Sequence, residues 1–353
     1  MKKRILKIGD KIYSQSLQNF DGSYLVGFPQ REQQLLNPLS ELVDIDFYNH
    51  KSIENEQDIA AERQKLTNFL STKDFDYILV DNPFSVLVIE PQVSTPIIFD
   101  CIDWYEEMYL KEFGEDDKYL LLKRGLTELL KRADKVVAQS PVILNELIRL
   151  GLTTNKHVVI PNGYDSDKFF PYDKEKINEI KKYIEQKYHC DLTSKKVVVY
   201  VGKLGFWYDK IITIANSIPD GFVFLIVGDG PIKDQIPNHP NVIKCGAVEL
   251  SKVPEFNNVA DVLVFPVDVD CSPIAISEYL AVGKPIVMGK GRMEWLLQDG
   301  VTGYMVENTI ESWRTGIEKA VKMGNEVKDF NLNLAKNLSW DLLAKKLAEF
   351  IEK

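Results

Sequence analysis

The sequence predicts an α/β protein built from two doubly wound parallel sheets, and three observations support this prediction. The chain has 353 residues, which is too long for one comfortable core and suits two domains of ordinary size. Short apolar segments alternate with helical ones, as in parallel sheets covered by helices on both faces. The alternation stops once, at a charged segment near the middle of the chain, and then starts again.

The first half predicts an N-terminal domain over residues 1–165. Its expected strands are short apolar segments that end in polar or turn residues. They lie in RILKIG, the second part of REQQLLNPLSELVDIDFYN, FDYILVDNP, TPIIFDCID, ADKVVAQS and KHVVIPNG. Helices are expected at the start of REQQLLNPLSELVDIDFYN and in KYLLLKRGLTELLKRAD and SPVILNELIRLGL.

The second half predicts a further domain over residues 166–335. The charged residues 164–195 are expected to form a linker and a first helix. Strands are then expected in KVVVYVGKLG, GFVFLIVGDGP, NVIKCGAV, ADVLVFPVD, KPIVMGKG and TGYMVE. The last segment, residues 336–353, predicts an amphipathic helix because its apolar residues recur at helical spacing.

The composition limits the classes of partner and site. A net charge of −9 argues against nucleic acid, since phosphate contacts need a clustered basic face. The four cysteines form no C-x-x-C pair and the four histidines show no zinc spacing, so we expect reduced thiols and no metal site. We see no signal peptide and no apolar run of membrane-spanning length, and we expect a cytoplasmic protein whose membrane contact would be peripheral.

The carboxyl ends of the strands are where a ligand is expected, because ligands of doubly wound sheets bind there, beside helix N-termini. KVVVYVGKLG carries a strand into Gly202 and Lys203, which offer close backbone approach and a cation. Neither the G-x-G-x-x-G fingerprint nor the G-x-x-x-x-G-K-[ST] phosphate loop is present. Taken alone, the pair is more typical of a solvated turn.

The stretch DCSPIAISEYLAVGKPIV, residues 270–287, is more specific. A buried strand is expected to end at Pro266, and Ser272 followed by Pro273 predicts the cap and first residue of a helix. Free amides at a helix start favour an anion. Glu278, further along this helix, suits bidentate hydrogen bonding to a pair of ribose hydroxyls. The alternative is that Glu278 interacts only with the helix dipole or faces solvent.

Several segments together carry a family resemblance. They are YVGKLG, NVIKCGAVELSKVPEFNNVADVLVFP, SPIAISEYLAVGKPIV, FDCIDW, RADKVVAQSPVILNEL and VIPNGYDSDKF. These segments resemble the motifs of GT-B glycosyltransferases, specifically the retaining group of family 4. The resemblance implies two Rossmann-like domains with an inter-domain cleft and a C-terminal helix, 336–353, that packs back on the N-terminal domain. It also implies a nucleoside-diphosphate sugar as donor, retention of configuration, and no metal or other cofactor.

The resemblance assigns donor-side roles to matching positions. Glu278 matches the last carboxylate of the family's E-x7-E motif, which binds the donor ribose, and Asp270 matches its first acid, near the donor sugar. Lys203 matches the basic residue that neutralises the diphosphate. We therefore expect Asp270 and Lys203 to be catalytic. The base of the donor nucleotide is expected to lie against the segment around Val248. The expected donor-binding residues are Gly202, Lys203, Val248, Ser272, Ile274 and Glu278.

Some positions depart from the family pattern. Asp270 stands where Glu is usual, which shortens its reach by one methylene. Pro273 removes one amide from the anion site, and Ala275 stands where a related subgroup has Lys. A second basic residue often found five positions after the first is replaced by Tyr208. The diphosphate would therefore depend mainly on Lys203 and on backbone amides.

The acceptor side is expected in FDCIDWYEE, at the carboxyl end of a strand. Asp100 and Asp103 lie there, with Asp103 as the catalytic candidate, and a charge-paired loop is the alternative. Trp104 is a candidate for stacking on a sugar face, or else a core residue. Arg31, at the start of the first helix, is a candidate for meeting a phosphate, or else a solvated charge.

The basic residues Lys123, Arg124, Lys131 and Arg132 predict a solvated helix face. The alternative is a peripheral surface for anionic lipid at the inner face of the membrane, which would suit a lipid-linked acceptor.

The resulting prediction is a hexosyl- or other glycosyltransferase of a polysaccharide or glycolipid pathway, with a glycan, lipid-linked or other acceptor. Two alternatives stay open. A non-catalytic GT-B partner subunit would bind a glycan or stabilise an active transferase, and the altered positions Asp270, Pro273 and Ala275 keep it open, although the retained Glu278 and Lys203 indicate that a nucleotide still binds. A nucleotide-sugar epimerase would share the fold, but it needs acid–base groups facing the sugar, and histidines are scarce.

Overall fold

The computed structural model describes residues 2–10, 30–266 and 270–353, which divide into two compact units. Within this part of the chain, unit 1 comprises residues 2–10, 30–161 and 341–353, and unit 2 comprises residues 162–266 and 270–340.

Unit 1 contains a parallel sheet in the order β2-β1-β3-β4-β5-β6. The strands are β1 (Arg4–Asp10), β2 (Asp44–His50), β3 (Tyr77–Val80), β4 (Ile97–Cys101), β5 (Ala133–Ala138) and β6 (His157–Val159). The helices between them are α1 (Gln30–Ser40), α2 (Glu56–Leu70), α3 (Pro83–Leu87), α4 (Tyr105–Phe113), α5 (Asp117–Arg132) and α6 (Pro141–Arg149).

Unit 2 contains a second parallel sheet in the order β12-β11-β10-β7-β8-β9. The strands are β7 (Lys196–Val201), β8 (Phe222–Val227), β9 (Val242–Gly246), β10 (Val262–Phe265), β11 (Ile286–Gly289) and β12 (Gly303–Val306). The helices are α7 (Lys174–Tyr188), α8 (Ile211–Ser217), α9 (Val253–Val259), α10 (Ile274–Ala281), α11 (Ile310–Ala320) and α12 (Asn325–Ala335).

The predicted fold class of two doubly wound α/β domains is confirmed, and each predicted strand forms to within one residue of its segment. Most inner strands, such as YILV, KVVVYV and VLVF, are apolar and buried because both faces of each sheet are covered, whereas the edge strand β2, DIDFYNH, is largely polar and only partly buried. In β7, for example, Val197, Val198, Val199 and Tyr200 are all fully buried in the core of unit 2.

Each sheet has one point at which the order of strand addition reverses. In unit 1 this switch point lies between β1 and β3, and in unit 2 it lies between β7 and β10. Helices then leave neighbouring strands toward opposite faces, which opens a crevice at the carboxyl ends of the strands. Functional side chains are therefore expected around β1 and β3 and around β7 and β10.

The C-terminal helix α13 (Trp340–Glu352) belongs from Asp341 onward to unit 1. The buried Lys135 of β5 donates its ammonium hydrogens to the carbonyl oxygens of Phe350 and Ile351, at 3.0 and 2.7 Å. Those carbonyls lie in the last turn, where no partner within the helix is available. Lys135 thus fastens the end of the helix to the sheet.

None of the helices in the described ranges is both long and apolar enough to cross a membrane.

Candidate functional site

The predicted donor-side residues lie at the carboxyl edge of the sheet of unit 2. β7 and β10 pair at Val198 with Val262 and at Val199 with Leu263. Beyond these pairs, Lys203 follows β7, and α10 follows β10 after residues 267–269, which are outside the described ranges. Both segments border the switch point of the unit.

The loop after β7 is held in place by the loop after β8. The amide of Gly202 donates to the carbonyl of Val227 at 2.9 Å, and that of Leu204 donates to the carbonyl of Asp229 at 3.0 Å. Gly228 has a φ of +144°, and a Cβ there would lie 1.8 Å from the carbonyl oxygen of Gly202. Only glycine permits this close approach, so the GDG segment after β8 can hold the loop after β7 because residue 228 is glycine.

The side chain of Lys203 is available to a ligand. It is exposed, and within the described part of the chain its ammonium group forms no ion pair. The hydroxyl of the buried Tyr200 donates to the carbonyl oxygen of Lys203 at 2.8 Å, which fixes the backbone beneath the exposed side chain.

The start of α10 differs from the prediction. Ser272 and Pro273 were predicted as cap and first helical residue, but the helix begins at Ile274, and Pro273 occupies the cap position without a side-chain cap bond. The prediction is wrong because the Ser272 hydroxyl has another partner, accepting from the amide of Asn162 at 2.9 Å. The amides of Ile274 and Ala275 lie in the first turn, where no carbonyl within the helix is available to them.

Asp270 shapes the turn before α10. Its carboxylate accepts a hydrogen bond from the amide of Ser272 at 3.0 Å, so that amide is not available to an anion. Burial raises the pKa of Asp270 above its ordinary value, against the opposing effect of backbone hydrogen bonds from Ser272 and Cys271. The indole of Trp295 donates to the carbonyl of Cys271 at 2.9 Å and so also holds this turn.

Asn162 ties the first residues of unit 2 to α10, a role that the sequence analysis missed. Its side-chain amide donates to the carbonyl of Ser272 at 2.6 Å, and its own carbonyl accepts from the hydroxyl of Ser277 at 2.7 Å. The signal was present in the PNG motif of VIPNGYDSDKF, but the partners of an asparagine cannot be read from its motif.

Glu278 is only 5% exposed, so the alternative in which it faces solvent is wrong. It lies on α10 next to the fully buried Tyr279. Val248, between β9 and α9, is half-buried against the core of unit 2. The edge of this sheet thus offers a cation, first-turn amides and a buried carboxylate, which can meet an anion and a pair of hydroxyl groups.

Arg31 and Asp100, two of the acceptor-side predictions, form a buried ion pair in unit 1. Arg31 donates to the Asp100 carboxylate through Nε at 3.2 Å and Nη2 at 3.0 Å, and through Nη1 to the carbonyl of Pro161 at 3.0 Å. Arg31 is 5% exposed, so the alternative of a solvated charge is wrong. Burial raises the pKa of Asp100, although Arg31 lowers it.

Lys7 forms a second buried cluster that the sequence analysis missed. Its ammonium nitrogen lies 2.8 Å from the Asp81 carboxylate and 3.3 Å from that of Glu32. Lys7 is in β1 and Asp81 follows β3, so the cluster lies at the switch point of unit 1. A lysine at the centre of the apolar strand RILKIG was the signal, because a buried charge requires a partner.

Asp103 and Trp104 line a small cavity of about 40 Å³ in unit 1, together with Glu106, Glu146 and apolar side chains of α5 and α6. Both residues are half-buried. The neighbouring Tyr105 also lines this cavity, donates its hydroxyl to the carbonyl of Asp81 and lies against Phe99, with ring centroids 6.5 Å apart. Five members of FDCIDWYEE border this cavity, and Asp103 and Trp104 are the two that were predicted on the acceptor side; the others are Cys101, Tyr105 and Glu106.

The basic residues of α5 are largely engaged within unit 1. Arg124 pairs with Glu56, and Arg132 pairs with Glu128 at 3.1 Å while donating to the carbonyls of Ile89 and Glu90. The ammonium of Lys123 lies 5.3 Å from the centre of the Tyr119 ring.

No cluster of three or more His, Cys, Asp or Glu side chains suited to a metal ion is found among the described residues. Whether the chain works without a metal stays a prediction.

Family models match both halves of the chain. The model described as Glycosyltransferase Family 4 matches residues 26–168, and the model described as Glycosyl transferases group 1 matches residues 195–322. A search of the curated proteins finds no match.

Solved structures share the fold over nearly the whole chain at low identity. Sucrose-phosphate synthase from Thermosynechococcus elongatus is 14% identical, with 99% of this chain and 98% of that chain covered and a TM-score of 0.78. HepE from Anabaena in complex with UDP-glucose is 14% identical, with 99% of each chain covered and a TM-score of 0.71. WaaG, involved in lipopolysaccharide biosynthesis, is 16% identical, with 98% and 99% covered and a TM-score of 0.67. These structures show the GT-B fold, and the two family models, which together match most of the chain, show that it belongs to the family 4 type of glycosyltransferases.

Proposed function

We propose that this glycosyltransferase uses a nucleoside-diphosphate sugar, bound at the carboxyl edge of the sheet of unit 2. The observation that carries the proposal is the placement of the exposed Lys203 and the buried Glu278 on the two segments that border one switch point. A ribose offers two neighbouring hydroxyls to the Glu278 carboxylate, and a diphosphate offers its charge to Lys203. HepE, which has this fold, was solved with UDP-glucose.

The chemical step breaks the bond between the anomeric carbon and the diphosphate oxygen and forms a bond from that carbon to the acceptor hydroxyl oxygen, whose proton passes to Asp103 or to the leaving diphosphate. Negative charge develops on the leaving group. Lys203 and the first-turn amides of Ile274 and Ala275 stabilise that charge electrostatically. Ser272 contributes by shaping the turn, since its amide is bonded to Asp270. We assign Asp270 to the sugar end of the donor. We further propose retention of configuration and no requirement for a metal.

The acceptor is proposed to be a glycan or a lipid-linked sugar, bound by unit 1. Asp103 and Trp104 follow β4 at the carboxyl edge of the sheet of unit 1, and we assign Asp103 to orienting or deprotonating the acceptor hydroxyl and Trp104 to the sugar face. We assign Arg31 and Asp100 to supporting this region, because their charged groups are bonded to one another. With a lipid-linked acceptor, the protein would work in the cytoplasm at the inner face of the membrane.

The test is a transfer assay with UDP-, GDP-, ADP- and dTDP-hexoses against free oligosaccharides and a polyprenyl-diphosphate-linked sugar. We expect acceptor-dependent release of one nucleoside diphosphate, a product that keeps the donor's anomeric configuration by NMR, and no loss of rate with EDTA. Lys203→Ala should lose most of the rate.

Other outcomes would reject the proposal in distinct ways. An inverted product rejects retention, and a rate abolished by EDTA and restored by Mg²⁺ rejects metal independence. Conversion of the donor sugar without an acceptor identifies an epimerase. Nucleotide binding without any turnover favours the non-catalytic partner subunit. Pro273 at the cap of α10 is consistent with that alternative, because a proline contributes no amide to stabilise the leaving group.

A further inference from the structure

The switch point of unit 2 contains a tyrosine hydroxyl between its two strands. β7 and β10 pair at Val199 with Leu263, and continuing this register would direct the amide of Val201 to the carbonyl of Val264. Instead, the Val201 amide donates to the hydroxyl oxygen of Tyr279 at 3.0 Å. The same hydroxyl lies 3.5 Å from the carbonyl of Val264. The phenol thus takes the place of the next direct bond between the strands.

This insertion affects the region where a ligand is expected. The Tyr279 side chain is fully buried, so its ring cannot leave without opening the core. Because its hydroxyl occupies the line between the two strands, they cannot close on one another at their carboxyl ends. Those ends border the crevice in which doubly wound sheets bind their ligands.

Tyr279 also joins the two segments that carry the proposed donor residues. It follows Glu278 on α10, and its hydrogen bond reaches Val201, two residues before Lys203. A second buried phenol, Tyr200, holds the Lys203 carbonyl from the side of β7. The backbone from Val201 to Lys203 is therefore fixed by two tyrosine hydroxyls, one of which comes from the donor helix.

We infer that Tyr279 is a positioning residue that holds the Lys203 loop in register with Glu278 and keeps the crevice between β7 and β10 open. The inference rests on the proposed donor site and adds a residue that acts on the diphosphate through Lys203. Phenylalanine would fill the same space but would leave the Val201 amide without its acceptor. The loop would then shift to satisfy that amide or would lose order.

The first test is a calorimetric double-mutant cycle with UDP and uridine as probes. We expect Tyr279→Phe to lower the affinity for UDP about five- to tenfold and to change the affinity for uridine less than about twofold. In a Lys203→Ala background, Tyr279→Phe should change UDP affinity less than about twofold, because the group through which it acts is gone. Tyr304→Phe, which removes a hydroxyl from β12 at the far edge of the sheet, is the matched control and should leave both affinities unchanged.

A purely structural role predicts a different result. Tyr279→Phe would then lower the melting temperature while the folded variant kept its UDP affinity, or it would lower the UDP affinity equally in the wild-type and Lys203→Ala backgrounds. Either result overturns the inference.

The second test does not depend on nucleotide binding. Hydrogen–deuterium exchange of the free protein should show faster exchange in a peptide covering residues 199–205 for Tyr279→Phe than for wild type, with no change for Tyr304→Phe. Unchanged exchange there overturns the inference even if UDP binds. A wild-type chain that binds no nucleoside diphosphate rejects the proposed function, while this exchange experiment still decides whether Tyr279 holds the loop.

Discussion

Removing the Arg31 guanidinium should destabilise unit 1 strongly. In Arg31→Met the Asp100 carboxylate loses two hydrogen bonds and the Pro161 carbonyl loses one, all in a region where Arg31 is 5% exposed. Breaking a buried ion pair from one side costs about 3–5 kcal/mol, because the remaining charge stays buried without compensation. With a urea dependence of about 2 kcal/mol/M, the unfolding midpoint should fall by about 2 M.

Urea unfolding followed by circular dichroism measures this shift, and an exposed ion pair serves as the control. Lys73 pairs with Asp46 at 3.2 Å on the surface of unit 1, and Lys73→Met should cost less than about 1 kcal/mol. The double variant Arg31→Met/Asp100→Leu should recover part of the loss, because no isolated charge is left. The reasoning is refuted if Arg31→Met shifts the midpoint no more than Lys73→Met does.

Three further predictions concern unit 2. Lys203→Ala should lower the affinity for UDP at least about tenfold, measured by calorimetry, because a charged contact to the diphosphate is lost. The affinity for uridine should hardly change, and an equal loss of affinity for both ligands would contradict this prediction. Gly228→Ala should lower the free energy of unfolding in urea by more than about 3 kcal/mol, since its Cβ would lie 1.8 Å from the Gly202 carbonyl oxygen. The control Gly221→Ala has a φ of +78° but open space around its Cβ, and it should lower that free energy by about 1–2 kcal/mol. Because burial raises the pKa of Asp270, the folded chain binds more protons than the unfolded chain between pH 3.8 and the raised pKa of the folded chain. This residue's contribution to stability therefore falls as pH rises through that window. The unfolding free energy of wild type minus that of Asp270→Asn should therefore decrease with rising pH, and a constant difference would argue against this account.

The strands could be predicted from the sequence because their signal is local. Segments such as VVVYV and FLIV are apolar throughout, which is typical of strands buried on both faces, and they end at turn residues that mark the edge where ligands bind. Lys203 and Glu278 were placed at that edge for the same reason.

The contacts that support the site could not be predicted, because they join residues far apart in the chain. Asn162 bonds to Ser272, 110 positions away, and these bonds take the serine out of the cap position predicted for it. Arg31 was interpreted as a solvated charge or a phosphate ligand because nothing in its neighbourhood of sequence identifies Asp100, 69 positions away, as its partner. The hydroxyl of Tyr279 reaches Val201 across 78 positions.

The central claim, that unit 2 binds a nucleoside diphosphate through Glu278, is tested most directly by isothermal titration of UDP, GDP, ADP, CDP and dTDP. The exposed Glu179 on α7 provides the control variant Glu179→Ala. We predict that one nucleotide binds wild type and Glu179→Ala equally and that Glu278→Ala loses at least about tenfold in affinity, as expected for a lost charged hydrogen bond. Equal affinity of Glu278→Ala and wild type, or no binding of any of the five nucleotides, would contradict the account.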